Sequence, residues 1–218
     1  MKAINDELML YDAQRPTPQD GEVLVKVVAA GVNRGDLMQA AGKKPPPKGE
    51  SEIMGLECAG VEVACTVWSN LGMIAGISEG DRVLIHGGAG GIGSFAIQMC
   101  KALGCEVAVT AGSQEKLEYC RELGADILIN YKEQDFAEEL PGWADAILDV
   151  VGGPYLEQNI KTLNTDGHLI VIAVQGGPKG TLSLGRMMPR RLSVTATTLR
   201  ARPRPMKATI VASTVENV

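Results

Sequence analysis

Val83-Leu84-Ile85-His86 is a short, mostly apolar run that ends in Gly87-Gly88-Ala89-Gly90-Gly91-Ile92-Gly93 and passes without a break into Ser94-Phe95-Ala96-Ile97-Gln98-Met99-Cys100-Lys101-Ala102-Leu103. The first run has the length of a buried strand, the last reads as a helix, and the glycines between them make the turn. Gly88, Gly90 and Gly93 fit G-x-G-x-x-G. In that pattern the first glycine permits a tight turn, the second lets backbone approach a pyrophosphate, and the third lets the helix pack on the strand. The helix N-terminus adds unpaired N–H groups and the positive end of a dipole, which suit an anion. Glycine clusters alone mark ordinary turns, so the rest of the chain has to decide.

The strand and helix pattern repeats after the loop. Glu106 to Thr110 is a β-rich run, and Gln114 to Leu123 carries Leu117, Tyr119, Cys120 and Leu123 between charged residues before Gly124 stops it. Asp126 to Asn130 and Ala144 to Val151 read as strands, Pro154 to Leu163 as a helix with proline at its start, and His168 to Val174 as a further strand. Apolar strands alternating with helices imply a parallel sheet covered on both faces, with the ligand at the carboxyl ends of the strands. The expected fold class is α/β, a Rossmann-type doubly wound parallel sheet that binds a dinucleotide.

Roughly twenty residues past such a loop, an acidic side chain selects NAD and a polar or cationic one selects NADP. This chain reads Thr110-Ala111-Gly112-Ser113-Gln114-Glu115-Lys116, with no carboxylate closing the strand. Ser113 offers a hydroxyl and a helix cap, and Lys116 a point charge for a phosphate. The expected cofactor is NADPH. A methyltransferase also places a glycine loop after its first strand, but its acidic ribose contact is missing here.

A length of 218 residues with 45% hydrophobic content allows one large or two small domains. The net charge of −5 argues against a general affinity for nucleic acid or anionic membranes. No apolar run reaches the roughly twenty residues of a membrane helix, and the N-terminus lacks a secretory pattern, so the expected compartment is the cytosol. Cys58, Cys65, Cys100, Cys105 and Cys120 include no C-x-x-C pair, which predicts neither a disulfide framework nor a four-cysteine zinc lobe. His86, ending the first strand, is expected to be packed or hydrogen-bonded rather than catalytic, and His168 to be structural.

The N-terminal part differs in texture. Glu22 to Ala30 alternates like a half-buried antiparallel strand and is followed by Gly31-Val32-Asn33-Arg34-Gly35-Asp36-Leu37-Met38 and a stiff Pro45-Pro46-Pro47 loop. Together with Gly55-Leu56-Glu57-Cys58-Ala59-Gly60, the glycine loop, Thr110-Ala111-Gly112-Ser113 with Lys116, and Ile129-Asn130-Tyr131-Lys132-Glu133, this order resembles the zinc-free, zeta-crystallin-like quinone oxidoreductase branch of the medium-chain dehydrogenase/reductase superfamily. Zinc-dependent members carry a cysteine where Asn33 stands and a histidine where Leu56 stands. The resemblance therefore implies no metal site.

It further implies a partial β-rich GroES-like domain over residues 1–62 and a Rossmann NADP-binding domain over 63–218, incomplete at its C-terminus. Gly90, Gly91, Ile92 and Gly93 would contact the pyrophosphate. Gly112 belongs to the same cofactor-binding set, in which Ser113, Lys116 and Tyr131 would bind the 2′-phosphate, while Gly152, Val174, Gln175 and Gly176 would border the nicotinamide. Asn33 is the candidate catalytic residue, beside nicotinamide and substrate, and Asp36 would stabilise the helix that follows. The implied activity is reduction of a quinone or conjugated carbonyl by hydride, or one-electron, transfer. A non-catalytic NADPH sensor or interaction protein is the alternative.

The chain departs from its family at three places. Lys44 stands where relatives carry a tyrosine over the cofactor; Gly55–Gly60 is joined almost directly to Val63-Ala64-Cys65-Thr66-Val67-Trp68-Ser69-Asn70-Leu71, without the long β-rich stretch between; and the end at Val218 comes early. The expected shortfall is on the order of a hundred residues, about one small domain. Because the surviving segments keep their patterning, residues left out of a longer chain are favoured over a truncated product. The basic tract from Arg186 to Arg204 brackets a β-rich run, Leu192 to Leu199. A homodimer edge through the Rossmann sheet ranks first for it, a solvated loop second and RNA contact third.

Overall fold

The computed structural model describes residues 2–4, 7–9, 14–15, 17, 34–43 and 61–218. The chain divides into two units, Met1–Val63 and Ala64–Val218. In the first unit, β1 (Lys2–Ile4) pairs antiparallel with β2 (Glu7–Met9), and α1 (Arg34–Ala40) carries Asp36 in its first turn, where a carboxylate favours the helix dipole. Asn33, Lys44, Leu56 and the Glu22–Ala30 run lie outside the described residues.

A helix, α2 (Val61–Val67), continues into a π-helical segment, Trp68–Ala75, which Gly76 ends in a left-handed conformation. The sheet begins at β3 (Arg82–His86) and alternates with helices: α3 (Gly91–Ala102), β4 (Glu106–Ala111), α4 (Gln114–Glu122), β5 (Ile127–Asn130), α5 (Phe136–Glu139) and β6 (Ala144–Asp149). A 3-10 turn (Gly153–Tyr155) leads into α6 (Leu156–Thr162), which runs directly into β7 (Leu163–Val171). Then come α7 (Leu184–Met187), a 3-10 turn (Met188–Arg190), β8 (Ser193–Ala196) and α8 (Arg204–Asn217).

All six strands from β3 onward are parallel, in the order β5-β4-β3-β6-β7-β8. This is the doubly wound dinucleotide-binding order, whose direction reverses between β3 and β6. The central strands β3, β4 and β6 are buried along nearly their whole length, as a sheet covered on both faces requires. Alternation divides the residues between the faces. Leu84, Ala108 and Ile147 stand side by side in register and join Ile129, Phe136, Ile160 and Leu169 in one core. The intervening positions Val83, Ile85, Val107 and Val109 are buried on the other face.

Boundaries differ from the sequence reading in three places. The 154–163 helix starts at Leu156, because a 3-10 turn takes up Gly153–Tyr155. The strand expected from His168 begins at Leu163 and ends at Val171, so Val174, Gln175 and Gly176 form a loop. The tract around Arg186 is helical rather than an open loop: the Arg190 guanidinium donates to the carbonyls of Ile160 and Leu163, each at 2.7 Å, and satisfies the end of α6. Arg191 pairs with Asp166 at 2.6 Å. Among the described residues no helix is long and apolar enough to cross a membrane.

Candidate functional site

The carboxyl ends of β3 and β6 form the crevice that this strand order creates. At the end of β3, Gly87 turns the chain at φ 73°, and Gly90 precedes α3 in an extended conformation. A Cβ at Gly88 would lie 2.9 Å from both Val109 Cβ and Cys120 Sγ; one at Gly93 would lie 2.5 Å from the Gly87 carbonyl oxygen. The first and last glycines of the motif are thus spent on packing. No side chain caps α3, so the amides of Gly91, Ile92 and Gly93 open its N-terminus, and space is clear around Gly91. Such an uncapped twelve-residue helix behind a glycine turn fits a diphosphate.

One strand away, at the end of β4, Ser113 caps α4 by accepting the Lys116 N–H at 3.4 Å. The Lys116 side chain is exposed in the first turn of α4. Tyr131 follows β5 and lies over Gly112: a Cβ there would come 2.5 Å from the phenol oxygen. Tyr131 is 46% exposed. Gly112, Ser113, Lys116 and Tyr131 therefore cluster on the β4–β5 side of the glycine loop.

On the opposite side, the turn that follows β6 contains Gly152, with φ 84° and a parallel bridge to Gly177. The Gln175 N–H donates to the Val150 carbonyl at 3.1 Å and the Gly176 N–H to that of Val151 at 2.9 Å. Gly152 and the Val174–Gly176 loop are thus tied together. Across the sheet the expected residues run in the order Tyr131, Gly112 with Ser113, Gly90 to Gly93, Gly152, and Val174 to Gly176.

Sequence reasoning passed over a buried polar row beneath this crevice. His86, Thr110 and Asp149 lie two residues beyond Leu84, Ala108 and Ile147 on their strands, so they face the same side one rung higher. His86 Nε2 is 2.8 Å from Asn159 Oδ1, and its Nδ1 is 3.0 Å from Thr110 Oγ1. Asn159 Nδ2 donates to Asp149 at 3.1 Å, and the Val151 N–H donates to the same carboxylate at 2.6 Å. Phe136 and Tyr155 close the row with ring centroids 4.7 and 4.9 Å from that of His86. Burial pushes the imidazole below its usual pKa, against the opposing pull of Asp149 and Asn159, a direction that favours the neutral ring. Burial likewise raises the Asp149 carboxyl, opposed by His86 and by the N–H donors of Val151, Gly152 and Asn159. The signal available in the sequence was a polar residue at or next to the carboxyl end of each of three largely apolar strands.

Comparison with known proteins bears on the family and the fold. Residues 91–213 match the family model described as zinc-binding dehydrogenase, and residues 19–124 match that of the alcohol dehydrogenase GroES-like domain. The chain is 28% identical over 221 residues to bovine prostaglandin reductase-3, covering 76% of this chain and 59% of that protein. It is 27% identical over 222 residues to a component of the phenolphthiocerol/phthiocerol polyketide synthase of Mycobacterium tuberculosis, covering 76% of this chain and 10% of that one. Among solved structures, the Escherichia coli quinone oxidoreductase complexed with NADPH aligns at TM-score 0.61 and 25% identity, covering 71% of this chain and 49% of that one. The chain belongs to the medium-chain dehydrogenase/reductase superfamily, in the branch that holds the quinone oxidoreductases, and carries the GroES-like and Rossmann parts of that family. It spans less than two thirds of the length of these relatives. Members of this superfamily are oxidoreductases that bind a nicotinamide cofactor.

Proposed function

We propose that this chain forms the cofactor-binding part of an NADPH-dependent, zinc-free oxidoreductase that reduces quinones or conjugated carbonyls. The observation that carries the reading is the order of residues across the strand ends. A phosphate-binding set around Lys116 and Tyr131, a diphosphate cradle at Gly90 to Gly93, and a backbone loop at Gly152 and Val174–Gly176 follow one another as the parts of an extended dinucleotide would.

In this reading the amides of Gly91, Ile92 and Gly93 hold the diphosphate, and the α3 dipole favours its charge. Ser113, Lys116 and the Tyr131 phenol hold the 2′-phosphate, the lysine as a point charge and the phenol as a hydrogen-bond donor. Gly152 and the Val174–Gly176 backbone border the nicotinamide and leave no side chain in its way at Gly152 or Gly176. The bound cofactor supplies a hydride to an electron-poor acceptor. Asn33 contributes an amide to the acceptor carbonyl, helping to orient it and to stabilise charge that develops on its oxygen. No general acid is required, because solvent can protonate a hydroquinone anion. A homodimer through the outer edge of β8 belongs to the same reading.

Calorimetric titration with NADPH and NADH, followed by an absorbance assay of NADPH oxidation with a small ortho-quinone, tests it. Binding with protein-dependent NADPH consumption supports the reductase. Tight binding without turnover supports the sensor, and no heat with either coenzyme overturns both.

A further inference from the structure

His86, Thr110, Asn159 and Asp149 are each 1% exposed or less, and they form a continuous hydrogen-bonded chain. Chemistry orients every proton in it. Asn159 presents its Nδ2 to the carboxylate, which leaves its Oδ1 facing His86 Nε2; an amide oxygen only accepts, so Nε2 carries the ring hydrogen. Nδ1 of the neutral ring is then the acceptor and the Thr110 hydroxyl donates to it; the Gly87 N–H donates to the Thr110 carbonyl at 3.0 Å and, as the longer branch of a bifurcated bond, to the threonine hydroxyl oxygen at 3.4 Å. All donors point from Gly87 toward Asp149. There the carboxylate also takes the N–H of Val151 at 2.6 Å and of Gly152 at 3.2 Å.

Stability alone does not call for this chain. The rung below it is wholly apolar, with Leu84, Ala108 and Ile147 all fully buried, and replacing both partners of a buried hydrogen bond by apolar groups is close to neutral. What distinguishes the polar rung is where it ends. One end holds the residue that enters the glycine loop, and the other holds the turn across the crevice.

We propose that Thr110, His86, Asn159 and Asp149 are positioning residues of the dinucleotide site, a buried strut that fixes Gly87 against the Val151–Gly152 turn and sets the width of the crevice. The inference rests on the dinucleotide reading above. Because Val150 and Val151 also hold Gln175 and Gly176 through backbone hydrogen bonds, the strut relates the diphosphate cradle to the loop that would border the nicotinamide. Loosening it weakens coenzyme binding and also misplaces the hydride donor, so KM for NADPH rises while kcat falls.

The experiment compares His86→Leu with His86→Gln in the full chain. Leucine removes both ring nitrogens, whereas glutamine can place an amide N–H near the position of Nε2. The expected result is an NADPH Kd raised roughly tenfold or more in the leucine variant, with most of that loss recovered by glutamine. Leucine also leaves the buried Thr110 hydroxyl and Asn159 Oδ1 without their partner, so it should melt lower than glutamine, and both affinities are read well below either melting temperature. Wild-type affinity in the leucine variant, or an affinity lost equally in the leucine and glutamine variants, overturns the strut.

Should either variant fail to fold, nitrogen NMR of the histidine-labelled wild type decides, since the chain has only two histidines. A buried ring with its hydrogen on Nε2, whose resonances shift on saturation with NADPH, supports the inference; a hydrogen on Nδ1, or no response, overturns it. Failure of the wild type to bind either coenzyme overturns the dinucleotide reading and the strut with it. Normal wild-type binding beside an unaffected leucine variant overturns the strut alone.

Discussion

Gly93→Ala should damage fold and ligand binding together, by amounts the geometry sets. A Cβ at this position would lie 2.5 Å from the Gly87 oxygen and 2.6 Å from both Cα and O of Gly88. These are backbone atoms where β3 enters the loop, so no rotamer change relieves the contact. Ordinary contact begins near 3.4 Å, so α3 must retreat by about 0.9 Å at its N-terminus. Overpacking of this kind costs about 1–3 kcal/mol. In a protein of this size that lowers the melting temperature by roughly 2–12 °C.

The same retreat stretches an amide–phosphate hydrogen bond of about 2.9 Å beyond 3.5 Å, where little of it remains. Losing one hydrogen bond to a charged group is worth about 1.5–3 kcal/mol, or roughly a tenfold to hundredfold rise in the NADPH Kd. Thermal unfolding and calorimetry on the same preparation read both effects. Gly91→Ala is the control: nothing lies within 4 Å of its Cβ position, and alanine is favoured in a helix, so that variant should melt at or above the wild-type temperature. A Gly93→Ala protein that melts and binds like wild type would refute the account of the glycine loop.

Lys116→Glu should raise the Kd for NADPH far more than that for NADH, since it places a negative charge beside the proposed 2′-phosphate; equal changes in the two would remove lysine from that role. Asp145 gives a pH prediction. Burial on its own raises the Asp145 carboxyl, but hydrogen bonds from the Arg82 side chain, from Asn164 and from the Arg82 N–H, with the guanidinium charge, together hold it below the ordinary carboxylate range. A carboxyl depressed in the folded state contributes fully above its unfolded pKa, near 3.9, and loses that contribution as pH falls through the depressed value. Asp145→Asn should therefore be less stable than wild type at pH 7, and the gap in denaturant midpoint should narrow below about pH 4. A gap of the same size at pH 7 and pH 3 would contradict this.

The parallel sheet was legible because burial on both faces leaves strands apolar along their length, as in Val83-Leu84-Ile85 and Val107-Ala108-Val109. The glycine loop was legible because its roles demand the absence of a Cβ at Gly88 and Gly93. Where pattern and geometry part, the reading failed. Asn164 and Asp166 interrupt the apolar run of β7, with Asp166 at φ 63°, and so hid the first residues of the strand. Ile172-Ala173-Val174 continues the apolar pattern after the strand has ended, because this segment turns away to let Gly177 bridge Gly152. The arginines near residue 190 look solvated in one dimension, yet Arg190 satisfies two carbonyls that the end of α6 leaves open.

The polar rung shows a different kind of illegibility. Each member has an ordinary reading alone: a histidine or an aspartate closing a strand, a threonine inside one, an asparagine inside a helix. They become a unit only when β4, β3 and β6 lie side by side, which places residues 86, 110 and 149 in one row, with α6 laid across it to bring Asn159 between His86 and Asp149. The reversal of strand order that opens the crevice is the same feature that makes β3 and β6 neighbours. A hydrogen-bonded connection beneath the crevice therefore joins neighbouring strands, and residues 86, 110 and 149 sit at or within one residue of the strand ends, where the chain leaves the sheet to form the two walls. This explains why four polar groups occupy the layer directly above the apolar rung of Leu84, Ala108 and Ile147, and why that layer is the one nearest the proposed coenzyme.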